Sequence, residues 1–464
     1  MEQSTQRELF ETMPIPGAVA KLMLPTIVGS LVMVLYNLAD TYFVGLLNDP
    51  VQNAAVTFVA PLMLAFNAVN NLFGVGSSSL MSRALGLKEY DTVKKTSAVG
   101  IYCSVFCGLM ISALCLAFEP FVLKLIGVDA STAEATTGYM RWAVTCGAVP
   151  SIVNVVFGYL FRSEGAAMHA SIGTMSGCLI NIILDPIMIL GLGMGAAGAG
   201  LATFISNCSA CGYFLVLMRV KKEKTFITIH PKYFRPNKRI LSGIFGVGIP
   251  AAIQNLLNVT GMTILNNIAA SYGTSVVASI GIAQKIYQIP MQVALGGGQG
   301  VMPLVGYNFS SRNYKRMSGT IRFLLSVMVP VMVAVGVVMW LASEPLIGIF
   351  MKIEEIIHFG GMFLRAMSLA LPFLVVDFII VGVFQSIGYG TYSLIFAVLR
   401  KVVFEIPALL LLDRLIGVEG IAYGAFVAEF LLAIIGSIVL IRILGRLQKG
   451  SGQGEKQSRE TEQS

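Results

Sequence analysis

The stretch Asn181-Ile-Ile-Leu-Asp185-Pro186 lies in the middle of a long apolar run. A carboxylate at bilayer depth costs between ~3 and ~15 kcal/mol according to how isolated it is, so such groups persist mainly where they face a bundle interior and do something there. Asn181 and Asp185 are four apart, which puts both on one face of a helix. Pro186 has no N–H to give the carbonyl of Ile182. A carboxylate, an amide oxygen and a free carbonyl form an oxygen-rich pocket suited to a cation or a proton; the competing reading is an Asp that hydrogen-bonds a neighbouring helix. A second pair, Asn37 and Asp40, sits three apart within Tyr36-Asn37-Leu38-Ala39-Asp40-Thr41 of the first apolar run. Asp40 and Asp185 fall near the same end of their runs, and Thr203 of the next run adds a hydroxyl there. Two carboxylates brought together repel each other, and a bound proton or a bound Na+ relieves that repulsion equally well.

These residues need helices to hold them. The 464-residue chain is 56% hydrophobic and 12% charged, against about 25% charged in a soluble domain. A spanning helix takes about 20 apolar residues. Twelve candidate runs follow: 18–46, 54–81, 95–118, 138–161, 167–191, 195–218, 241–270, 276–304, 318–341, 360–386, 391–412 and 418–444. The fold class expected is an all-α polytopic membrane protein. The net charge of +8 lies in short loops between apolar runs rather than in a basic face, which argues against nucleic acid. Loops after the second, fourth, sixth and eighth runs hold Arg83, Lys88, Lys94, Lys95, Arg162, Arg312, Lys315, Arg316, Arg322 and the eight Lys and Arg of 219–240. The opposite loops hold only Lys124, Lys352 and Arg414. That imbalance predicts both termini and the 219–240 linker in the cytoplasm of a plasma-membrane protein. Residues 1–13 are polar with no cleavage-like site, so no signal peptide is expected, and 445–464 read as a disordered tail. Cys208-Ser-Ala-Cys211 has redox spacing but lies in an apolar run without a second pair, so it reads as small-residue packing.

The two halves repeat each other. Pro25 recurs as Pro250, Glu119-Pro120 as Glu344-Pro345, and Leu87-Lys88-Glu89-Tyr90 as Ser311-Arg312-Asn313-Tyr314. Phe161-Arg162-Ser163-Glu164-Gly165 recurs as Phe384-Gln385-Ser386-Ile387-Gly388, and Ala197-Gly198 as Glu419-Gly420. Six runs separate the copies, and an even number keeps the orientation, so the halves are parallel repeats. The expected division is an N-terminus (1–17), an N-lobe (18–218), a flexible basic linker (219–240), a C-lobe (241–444) and the tail. Two lobes around a central cavity are what alternating access by rigid-body rocking needs.

The second half carries other intramembrane polar groups. Asp377 is mid-run, and Lys401 and Glu405, four apart, read as an ion pair, with Lys285 and Glu429 facing a similar choice. Gln254, Asn255 and Asn258 form a polar stripe of the kind that hydrogen-bonds between helices. Met33, Phe66, Met262 and Met291 are candidates for an adaptable apolar cavity wall, with Asp377, Gln254, Asn258 and Gln284 as polar candidates. Gly296-Gly-Gly-Gln-Gly300 precedes no Lys-Ser/Thr and reads as close helix packing; no ATP-binding loop appears.

Several motifs together resemble a known family. Pro25 with Asn37-Leu-Ala-Asp40-Thr-Tyr-Phe-Val-Gly45, Asn181-Ile-Ile-Leu-Asp185-Pro186 with Gly195-Ala-Ala-Gly198, and Gly281-Ile-Ala-Gln284-Lys-Ile through Pro290 to Gly300-Val-Met-Pro303-Leu-Val-Gly306-Tyr-Asn308 are similar to the multidrug and toxic compound extrusion (MATE) transporters. The resemblance covers roughly 15–445. It implies twelve helices in two lobes, no catalytic residues and no cofactor, and export of organic cations or amphipathic drugs in exchange for H+ or Na+. It maps the acidic ion site onto Asp40 and Asp185 with Asn181, Thr203 and Asn37 around them, and Asp377 onto an acid used by another branch, whose partner Glu is missing from the Gln254–Asn258 stripe. The partners implied are small-molecule substrates and membrane lipid, with the protein acting as a monomer. A flippase for lipid-linked sugars on a related architecture is the alternative, disfavoured because its cavity would be cationic. An intramembrane aspartyl protease using Asp40 and Asp185 lacks its Tyr-Asp and Gly-x-Gly-Asp settings.

Overall fold

The computed structural model describes residues 7–462, and among these all regular structure is helical. Twelve long helices follow one another: α1 (Ile15–Gly45), α2 (Pro50–Gly86), α3 (Tyr90–Ala117), α4 (Ala133–Cys146 and Ala148–Ser163, meeting at 46°), α5 (Ala167–Gly191), α6 (Gly195–Val220), α7 (Lys238–Ala270), α8 (Thr274–Ser310), α9 (Tyr314–Leu341), α10 (Glu354–Ser386), α11 (Gly390–Val398, a π turn Leu399–Glu405, then Ile406–Ile416) and α12 (Val418–Glu462). Nine of the described helices are long and apolar enough to cross a membrane singly, and bent α4 makes a tenth. The remaining two, α8 and α11, are of spanning length but interrupted by glycines and by Arg400, Lys401 and Glu405. Two short helices, Glu119–Leu125 and Ser343–Phe350, were not expected from the apolar runs, and α12 continues to Glu462, past the expected 444.

Six helices make each lobe, and the duplication is visible in the backbone. Outside the glycines, positive φ occurs at three places among the described residues, and two of them are the equivalent turns at Lys88 (φ 59°) and Arg312 (φ 60°). Gly165 and Gly388 (83° and 85°) and Gly195 and Gly417 (58° and 69°) form further equivalent pairs. The ion pairs Arg141–Glu119 (3.2 Å) and Arg365–Glu344 (2.8 Å) recur in the same way. Such partly exposed pairs contribute about 0–1 kcal/mol, so they mark ancestry and helix register more than stability.

The lobes meet on the side where the 219–240 linker lies. The first half of α1 packs along the second half of α8, where Gly300 is needed because a methyl there would come within 2.8 Å of the Leu22 carbonyl oxygen. The end of α2 packs on the start of α7 and the end of α8, and Ser79 Oγ donates to the Gln385 carbonyl across the seam. The chain before α1 closes the same seam: Phe10 stacks on Tyr307 (4.8 Å), Glu11 accepts from the Tyr307 hydroxyl (2.7 Å), and Arg316 donates to the carbonyls of Phe10 and Leu9. Farther from the linker, the stretches Met33–Asp40 of α1 and Leu256–Met262 of α7 are half-buried or exposed apart from Val34 and Gly261. The cleft therefore opens away from the linker.

The linker is not the free tether expected from its composition. Thr225 and the Phe226 N–H both donate to the Glu164 carboxylate at 2.7 Å, the Thr228 N–H donates to Ser97, and the Tyr102 hydroxyl donates to the Ile229 carbonyl. Phe226 stacks on Tyr90 and Phe234 packs against Tyr102. Glu164 lies in the turn between α4 and α5 and is 1% exposed. Burial pushes its carboxyl up to about 7, against the opposing pull of the donors from Thr225, Phe226 and Ile227. A raised carboxyl favours the folded state most where the unfolded chain is also protonated, below about 4.5, and this contribution is lost as pH rises through about 7. Thermal unfolding followed between pH 4 and 8 should therefore show stability declining over that window. Glu164→Gln, which mimics the neutral acid, should flatten the slope; an unchanged slope would assign the titration to another group.

Candidate functional site

Asp185 closes the regular part of α5, and Pro186 opens a π turn over Pro186–Gly191, as expected where a proline withholds its N–H from the ladder. The turn leaves the Asp185 side chain fully buried, with Asn181 one turn earlier at 1% exposure. With its amide set to satisfy both neighbours, Asn181 Nδ2 donates to Asp185 Oδ2 at 2.8 Å and Asn181 Oδ1 accepts the Thr203 N–H of α6 at 3.1 Å. Thr203 Oγ1 lies 3.4 Å from the same amide. Asp185 is thereby fixed by one oxygen, while its Oδ1 is buried without a hydrogen-bond partner.

A second buried carboxyl comes from α1, which packs along α5. Asp40 lies close enough to Asp185 for the two carboxyls to act on each other electrostatically, and its Oδ1 is likewise buried without a hydrogen bond. Tyr36, one turn before Asp40, reaches the Thr203 hydroxyl, and Tyr139 of α4 is in the field of both carboxyls. Asn37 is exposed, with Thr41 Oγ1 bonded to its carbonyl, and stands outside this set. Sequence reasoning did not single out Tyr36 or Tyr139. Tyr36 had a signal, since it is four residues from Asp40. Tyr139 had none, because only the fold brings α4 there. Two carboxylates with neutral amide and hydroxyl oxygens form a hard-oxygen set suited to a proton or an alkali cation rather than to a thiophilic metal.

The lobes differ at this point although their backbones repeat. At the offsets of the duplication, Asp40 corresponds to Ile264 or Leu265 and Asp185 to Pro407 or Ala408 in the C-lobe, none of them acidic. The six-helix lobe therefore folds without these acids, which separates them from the requirements of the architecture.

The C-lobe holds a different charged cluster. The π turn of α11 directs Arg400 to Glu429 of α12 and leaves Lys401 on Glu405, with Lys401 Nζ 2.6 Å from Oε2. Arg400 also stands over the Phe378 ring at 5.4 Å, and Asp377 of α10, 1% exposed, adjoins Glu429. Asp377 thus faces the interior of the C-lobe and presents no surface to an open cavity. Gln254 accepts from Gln385, which also donates to Ser393, so it ties α7 to α10. Of the other cavity candidates, Asn258, Gln284, Met33 and Met291 are half-buried and Met262 is exposed. Phe66 is 4% exposed and belongs to the packed core rather than to a cavity wall. Lys285 is exposed, and among the described residues no ion pair holds it.

The chain is similar to known proteins in sequence and in fold. The MatE family model matches residues 25–187 and again 250–411, two copies beginning on the equivalent prolines Pro25 and Pro250. The multidrug export protein MepA of Staphylococcus aureus (strain MRSA252) is 31% identical over 439 residues, 94% of this chain and 96% of that protein. The protein of the same name from Staphylococcus saprophyticus is 31% identical over the same share. Among solved structures, that of MATE in complex with MaL6 superposes with a TM-score of 0.90 at 25% identity, covering 96% of this chain and 99% of that one. A multidrug resistance MATE family transporter of the MOP superfamily, in its outward-facing conformation, gives 0.88 at 25% identity over 93% of this chain and 96% of that one.

Proposed function

The chain belongs to the MatE family, and we propose that it is a secondary antiporter of the plasma membrane. It would export cationic or amphipathic small molecules in exchange for H+ or Na+ bound at Asp40 and Asp185, acting as a monomer with both termini in the cytoplasm. The observation that carries this reading is the buried Asp185–Asn181–Thr203 chain, which leaves one Asp185 carboxylate oxygen unpartnered while Asp40 lies within electrostatic reach. The family and the names of the similar proteins support drug export; the basic residues on the linker side support the orientation, under which the cleft opens outward.

The mechanism follows from differential binding. A cation arriving through the outward cleft neutralises the repulsion between the two carboxyls and draws α1 toward α5. That rearranges α1 beside the cavity, weakens the hold on drug, and favours the return to the inward-open state. Coupling arises only if ion and drug prefer different states or compete, since a ligand of equal affinity for both states shifts nothing. Pro25 and Pro250 give α1 and its counterpart α7 interior points at which a helix can bend.

The test is transport of a fluorescent organic cation in proteoliposomes under separately imposed H+ and Na+ gradients. Efflux driven by one or both gradients, and reduced roughly fivefold or more by Asp40→Asn, is expected. Dye movement that ignores both gradients would remove antiport and leave the carboxylates without this role.

A further inference from the structure

The geometry points to a second binding site, on the outer surface of the N-lobe, which takes one acyl chain of an anionic phospholipid with its phosphate held by Lys94 and Arg219. A groove of about 490 Å3 runs there between α3 and α6, which both pack on α4 but hardly on each other. Ile101 and Val105 of α3 form one wall, and Cys208 and Leu215 of α6 the other, over a floor that includes Val153 and Phe157 of α4. The lining is almost wholly apolar, and Leu215 and Cys208 are exposed, so the groove faces outward from the bundle where lipid tails lie.

Its linker-side end is built differently. Ile229 of the strapped linker closes it, held by the Tyr102 hydroxyl on its carbonyl. Each wall runs into a cation on the same helical stripe: Lys94 is seven residues from Ile101, and Arg219 is four from Leu215. At 1.5 Å per residue these cations stand roughly 10 and 6 Å beyond the apolar walls, and their long stems can carry the charge to the headgroup level. Lys232 and Arg235 of the linker are exposed and adjoin Tyr233 and Phe234, which pack against Lys94 and Tyr102 at this end. An apolar slot ending in several cations complements a hydrocarbon chain ending in a phosphate. The same cations repel an organic cation, which argues against the groove being a second drug site.

The test is native mass spectrometry of the full chain in mild detergent, titrated with phosphatidylglycerol or with phosphatidylcholine of identical chains. One phosphatidylglycerol should be retained in preference to phosphatidylcholine by roughly fivefold for each cation engaged. Lys94→Gln with Arg219→Gln should make the two lipids equivalent. A side chain added at Gly212, on the groove wall, would meet open space, so Gly212→Leu should fill the slot without disturbing the fold and lose the retained lipid. Cys208→Trp fills it from the neighbouring turn should Gly212→Leu fold poorly. Equal retention of both lipids by the unaltered chain, or wild-type retention in both filled variants, would overturn the assignment. So would one-for-one displacement of the lipid by tetraphenylphosphonium, which would mark a drug site.

Discussion

Asp185→Asn should leave the protein folded and strip efflux of its dependence on the ion gradient. The amide keeps an oxygen where Asp185 Oδ2 stands, so Asn181 Nδ2 still has its acceptor at 2.8 Å and the Asn181–Thr203 contact survives. What disappears is the charge that a cation or proton would neutralise. Typical coupling free energies are about 1–3 kcal/mol, so gradient-driven efflux should fall roughly 5- to 150-fold. Substrate binding in the absence of a gradient should change far less, because without an ion to bind the carboxyl has nothing to couple. Asp40→Asn should reproduce the defect, and the double variant should be little worse than either alone, since residues acting on one bound ion are not additive. Full gradient dependence in Asp185→Asn, with a normal melting curve, would place the coupling ion elsewhere. The charged cluster of the C-lobe would then be the next place to look.

How much of this was legible in the sequence depends on what each residue's signal required. The twelve-helix, two-lobe architecture was readable because apolar runs of spanning length need no knowledge of their neighbours, and because turns such as Lys88 and Arg312 repeat in residue pattern as well as in φ. Asn181 and Asp185 were legible for a local reason, four-residue spacing on one helix. Their link to Thr203 crosses from α5 to α6, and Tyr139 joins from α4, so that closure is a property of packing. The same holds in the C-lobe. Lys401–Glu405 could be read from spacing, whereas Arg400–Glu429 spans 29 residues and two helices, and its geometry depends on the π turn of α11. The linker misled for a related reason. Its composition is that of a solvated tether, and the group that pins it, Glu164, lies in another loop.

The C-lobe cluster yields the largest expected effect on stability. Arg400 and Glu429 are paired with side-chain exposures of 11% and 3%, and Lys401 and Glu405 with 12% and 8%. Asp377 adds a carboxyl beyond the two cations, beside Glu429. Removing one partner of a buried ion pair typically costs about 3–5 kcal/mol, because the other charge is stranded. For Glu429→Gln that figure is an upper limit, since Asp377 stands close enough to take over as counter-ion to Arg400. Thermal unfolding in detergent should therefore show a modest loss for Glu429→Gln, little or none for Asp377→Asn, and a loss well beyond the sum for the double variant. Arg400→Leu with Glu429→Leu, which removes both charges of the pair, should recover much of the stability, as apolar replacement of a buried pair often does. A sum of single effects equal to the double effect would show that Asp377 does not back up Glu429. An Arg400→Leu, Glu429→Leu variant as unstable as Glu429→Gln with Asp377→Asn would show that Arg400 and Glu429 hold α11 to α12 by more than their mutual charge.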